Sequence, residues 1–186
     1  MRDKKDEIVS TNPVMSDHLK INYRIIDDKL GFAGAKTKFS RNIDIICTLK
    51  TIEKENRLAN LQEQEILSKY VGWGVLPQAF DEHNEVWHRE YSELKRVLTN
   101  EEYKAARSST VNAHYILPTI ARAMFDALER MGFSKGNILE PSCGKGNFFG
   151  VLHESMKNSK LYGVELDSIT GRIARQLYQT ADIAIK

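Results

Sequence analysis

Ile138-Leu139-Glu140-Pro141-Ser142-Cys143-Gly144-Lys145-Gly146-Asn147-Phe148-Phe149-Gly150 is the stretch that decides the fold. It reads as a short apolar strand ending in an acid, a tight Gly-x-Gly turn, and the start of an aromatic-faced helix. Glycines after a strand let backbone approach a ligand closely and aim the next helix's amides at it. The spacing is not the Gly-x-Gly-x-x-Gly of dinucleotide-binding turns, because Phe149 stands where the third glycine is required. Nor is it a phosphate-binding P-loop, since no glycine lies five residues before Gly144 and no Ser or Thr follows Lys145. Glu140 places a carboxylate at the strand's end, where a dinucleotide fold usually carries an apolar residue.

Working outward, the chain after the turn alternates between strand and helix. Leu161–Glu165 reads as a second strand, Ile169–Tyr178 as a helix and Ile183–Ile185 as a third strand, with Phe148–Met156 as the helix after strand one. Before the turn, Ile120, Met124, Phe125 and Leu128 form a helix face that Gly132 and Gly136 end. Helical crossovers between short apolar runs imply a parallel sheet with right-handed connections. The expected fold is α/β: a helical N-terminal region followed by a partial, three-strand Rossmann-like sheet.

The first half of the chain is helical in pattern. Phe39, Ile43, Ile46, Leu49 and Ile52 recur at three and four residues, predicting a helix from Lys38 to about Asn56. Asn60 with Glu63, and Thr99 with Glu102, have capping-box spacing, predicting helices to about Tyr70 and about Arg107. Trp87, Tyr91 and Leu94 make a further helical face. Trp73, between glycines, reads as a core plug rather than a base-stacking platform. Residues 1–37 read as a leader, with a short strand at Ile21–Ile26 and a turn over Asp27–Gly34. Residues 38–110 read as the helical region, and residues 111–186 as the start of the α/β domain.

With 186 residues, 41% hydrophobic and 28% charged, the composition is that of a globular protein and excludes wholesale disorder. A net charge of +2 is too balanced to argue for nucleic acid by itself, and neither half is a polybasic arm. Cys47 and Cys143 make neither a disulfide framework nor a metal cluster, and His83, His88 and His114 share no ligand spacing. No apolar run reaches the roughly 18–20 residues that a membrane span needs. No signal-peptide core follows Met1, so a soluble, cytoplasmic protein is expected.

Three stretches together resemble one family. Glu140 to Phe148 resembles motif I of class I S-adenosylmethionine (SAM) methyltransferases, in particular the N6-adenine DNA methylases. Asn112 to Ala121 resembles the segment that borders the methionine end of SAM in those enzymes, and Leu161–Asp167 resembles motif II, whose acid holds the cofactor ribose. The earlier part, including Tyr70-Val71-Gly72-Trp73-Gly74, resembles the leader of large methylase–helicase proteins carried by bacterial mobile elements.

The resemblance implies SAM as cofactor and, through a full-length parent, DNA as partner. Gly144 and Gly146 would allow close contact with the methionine moiety and sugar, with Pro141, Ser142 and Phe148 completing the turn. Glu165 would accept from the ribose hydroxyls, and Glu140 would hold the ammonium, directly or through water. Asp167 stands beside the ribose acid, but its position also suits capping of the following helix. Tyr115 and Pro118 have two open readings, a floor under the methionine end or simple packing at a helix start.

The Asn/Asp-Pro-Pro-aromatic tetrapeptide that holds the target amine in amino-methylases has no counterpart here. Asn12-Pro13-Val14-Met15 lacks both the second proline and the aromatic, and reads as a turn. The expectation is therefore the N-terminal piece of a DNA adenine methylase, with cofactor motifs but no catalytic half. In the class I order strand one is central, so here it would be an edge. Either the N-terminal helices or the Ile21–Ile26 strand would cover it, or two chains would pair through it. The alternative function is a non-catalytic helical module that binds DNA or a protein partner.

Overall fold

Phe39, Ile43, Ile46, Leu49 and Ile52 all face inward from helix α1 (Ala35–Lys54), as their spacing requires. The computed structural model to which α1 belongs describes residues 20–27, 32–111 and 115–186. Asn12–Met15, His114 and the middle of the expected Asp27–Gly34 turn lie outside these. Helix α2 (Leu61–Ser68) and helix α4 (Asn100–Ser109) each start at a complete capping box, Asn60 with Glu63 and Thr99 with Glu102. Between them, α3 (His88–Val97) follows Trp87, and α5 (Pro118–Arg130) begins with proline at its first turn.

The remaining elements form the sheet and its crossovers. Strands β1 (Asn137–Glu140), β2 (Lys160–Glu165) and β3 (Asp182–Ile185) are parallel and lie in that order. Ile138 stands opposite Leu161, and Gly163 opposite Ile183. Helix α6 (Asn147–Gly150) leaves the glycine turn, and α7 (Ser168–Leu177) joins β2 to β3. The chain is therefore mixed α/β, with seven α-helices and a three-stranded parallel sheet among the described residues. None of its described helices is long and apolar enough to cross a membrane.

A single apolar cluster runs from α1 and α2 through Trp73, Phe80 and Tyr103 to Ile169, Ile173 and Leu177 of α7. Trp73 is fully buried, with its ring edge-on to Phe80 at 5.4 Å, so it is a core plug and offers no face to a base. Polar ties reinforce the join between the helices and the sheet. The Gln64 amide donates to the carbonyls of Ile21, Gln176 and Leu177, and Arg172 on α7 pairs with Glu53 and Glu102.

Three sequence expectations change. Ile21–Ile26 forms no strand beyond a single antiparallel bridge, Asn22 with Tyr178. Its amides bond instead to Leu177 and Gly150, so this segment does not pair with β1. The helix expected over Phe148–Met156 stops at Gly150, whose carbonyl accepts from Ile25 N–H at 2.8 Å, and a separate 3-10 turn occupies Glu154–Met156. On α5 the inward stripe is Ala121 and Phe125, while Ile120, Met124 and Leu128 stand largely exposed.

Candidate functional site

The carboxyl ends of β1 and β2 open into a pocket of about 600 Å³. Open parallel sheets place ligands at this end of their strands. Gly144 has φ +55° and Gly146 φ +87°, the left-handed region where a side chain is strained. The turn between β1 and α6 closes with Gly146 N–H donating to the Cys143 carbonyl, while Cys143 N–H donates to Val164 O on β2.

Both glycines also have a packing reason. A Cβ on Gly144 would lie 2.8 Å from the Tyr115 ring, and a Cβ on Gly72 would lie 2.8 Å from the Tyr115 hydroxyl. Tyr115 is thus gripped between the motif turn and the Val71-Gly72 loop, which Asn42 fixes by bonding both Gly72 O and Val71 N–H. A Cβ on Gly146 would strike the buried Tyr178 ring, so this glycine serves the core and does not line the pocket.

Two carboxylates reach the pocket from adjacent strand ends. Glu165 accepts from Gly144 N–H and from Asp167 N–H, both at 2.8 Å, so it ties the turn to the start of α7. Each carboxylate oxygen keeps a further lone pair for a ligand hydroxyl. Burial raises the Glu140 pKa, an effect that an N–H bond from Ser142 opposes. The Cys143 thiol lies beside both acids, and burial together with their charges pushes it up to about 12. That thiol is no nucleophile at neutral pH.

Asp167 caps α7, accepting from Thr170 N–H at 2.7 Å, and its second oxygen is buried without a partner among the described residues. The Tyr115 hydroxyl shares a 3.4 Å hydrogen bond with Thr170. Ser142 and Phe148 complete the pocket lining among the residues singled out from sequence. Pro118 lies instead with Tyr115 in a neighbouring cavity of about 90 Å³, and Pro141 borders neither.

Sequence reasoning missed several neighbours. Asn147 is buried in the wall shared by the two cavities, and its amide donates to Ile116 O. It directly follows Gly146 in the quoted motif, yet nothing local marked it as a wall residue. Lys145 is buried, donates to Ser68 O at 2.6 Å, and burial lowers its pKa to about 8. Ala105, Ser108 and Ser109 of α4 also line the large pocket. No group of three His, Cys, Asp or Glu side chains that would hold a metal occurs among the described residues.

Comparison with known proteins gives one local likeness. A stretch of 48 residues is 44% identical to a type II methyltransferase, M.CvrRI, of Paramecium bursaria Chlorella virus XZ-6E. The likeness spans 25% of this chain and 13% of that protein. It supports a methyltransferase relationship. Neither a family model nor a solved structure matches the chain.

Proposed function

We propose that this chain carries the cofactor-binding part of a SAM-dependent methyltransferase of the class I, Rossmann-like type, with DNA adenine N6 as the parent enzyme's target. The observation that carries the reading is the pocket at the strand ends, where Glu140 and Glu165 flank a Gly-x-Gly turn seated on Tyr115. SAM presents an ammonium, a pair of ribose hydroxyls and a flat ring. Glu140 offers charge to the ammonium and Glu165 accepts from the hydroxyls, while Tyr115 floors the methionine end. The local likeness to a methyltransferase points the same way.

Methyl transfer is an in-line displacement, so it depends on a residue that positions the nucleophile against the sulfonium. The sequence contains no Asn/Asp-Pro-Pro-aromatic element, and flipping a base from duplex DNA needs a further recognition surface. The chain by itself is expected to bind SAM and to transfer no methyl group. Calorimetric titration with SAM tests this, with Glu165→Ala expected to weaken binding at least tenfold, a loss of about 1.4 kcal/mol. Absence of binding to the wild-type chain overturns the cofactor assignment. Transfer of labelled methyl groups to DNA by the chain alone overturns the division of labour.

A further inference from the structure

Ala105, Ser108 and Ser109 belong to the helical half of the chain, yet they line the same pocket as Glu165, Leu166 and Asp167. Their spacing puts them on one face of α4. That face is anchored. One turn earlier, Glu102 accepts from Lys50 at 2.7 Å and from Arg172 of α7 at 2.7 Å, so α4 is pinned to the helix that Asp167 caps.

Across the pocket lining stand Leu166 and Asp167. Leu166 is 83% exposed, a large apolar side chain without a cover. Asp167 is only 8% exposed, and one of its oxygens has no hydrogen-bond donor among the described residues. Small side chains on one wall and an uncovered leucine beside it fit a flat ring slid between them.

We infer that the Ala105–Ser108–Ser109 face of α4 is the wall that closes the site over the purine ring of the cofactor, with Leu166 against the ring's surface. The inference rests on the SAM reading and adds a specificity-determining element from outside the recognised motifs. The helical half is then part of the ligand site. Its small residues set the width of the slot, and a longer side chain there fills the space that the ring needs.

Ser108→Leu is the direct test, because Ser108 is exposed and leucine is a strong helix former, so the helix itself is preserved. Ala105→Leu is the second variant, and Lys104→Leu, exposed on α4 but off the pocket, is the control. Calorimetry with SAM and with adenosine is expected to show about tenfold or greater weakening of both ligands in the two slot variants and none in the control. A melting midpoint close to wild type in the slot variants confirms that the loss is local. Unchanged or tighter binding of both ligands in Ser108→Leu and Ala105→Leu, with the wild-type chain binding SAM, overturns the wall and leaves the cofactor reading standing. A wild-type chain that binds neither ligand overturns both.

Discussion

Gly146 shows how a functional-looking glycine can be fixed by packing. Its φ of +87° already disfavours any side chain, and the Tyr178 ring occupies the place a Cβ would take. Tyr178 cannot retreat, because it is buried and its ring meets Phe149 edge-on at 5.6 Å. Gly146→Ala is therefore expected to cost about 2–4 kcal/mol, combining left-handed strain with overpacking. Trimming the ring in Gly146→Ala/Tyr178→Leu should return part of that loss, and a double-mutant cycle by chemical denaturation measures the coupling. Additive costs would show that the ring is not the obstacle. Gly144 differs, since its neighbour Tyr115 is only partly buried and borders the pocket. The sequence marks both positions as glycine, but the partner that requires Gly146 lies a full βαβ unit away and leaves no local trace.

At the scale of elements, the best-read features are those whose cause is local. Both capping boxes form as their spacing predicts, and the three-and-four spacing of α1 identifies its buried face. Where the cause is distant, the reading fails. Helix α6 ends early because Ile25, from the N-terminal segment, takes the Gly150 carbonyl. The α4 wall of the pocket was equally illegible, since its placement depends on Glu102 meeting Lys50 and Arg172 across three helices. Burial alone would raise the Glu102 carboxyl, but hydrogen bonds from Arg172 and Lys50 overcome it and lower the pKa to about 2. A carboxyl held below its ordinary value of 4.5 stabilises the fold above that pH, and the contribution fades as pH falls from about 4.5 towards 2. Glu102→Gln should thus lose about 2 kcal/mol at pH 7, with the gap to wild type narrowing at pH 3. Denaturant titrations at the two pH values check this, and a gap that is constant with pH would mean that the pairing does not govern the titration.

For the whole molecule, the free edge of β1 is the feature with most consequence. Among the described residues the order β1-β2-β3 leaves β1 bonded on one side only, and the Ile21–Ile26 segment bonds to Leu177 and Gly150 instead. In a parallel edge strand, half of the amides and carbonyls point away from the neighbour and invite another strand. Leu139 on β1 is 62% exposed, and on α5 the outward Ile120, Met124 and Leu128 leave more apolar surface uncovered. Charge cannot offset this, because a net +2 provides little repulsion between copies. The isolated chain is therefore expected to self-associate with rising concentration through this edge. Leu139→Lys, which places a charge on the exposed strand without altering the half-buried Ile138 side of the sheet, should shift it towards monomer. Light scattering across a concentration series reads the mass of both proteins, and hydrogen exchange reports whether the β1 amides gain protection as the wild type associates. A wild-type chain that stays monomeric at high concentration, or associates without protecting β1, would show that the edge is not the contact.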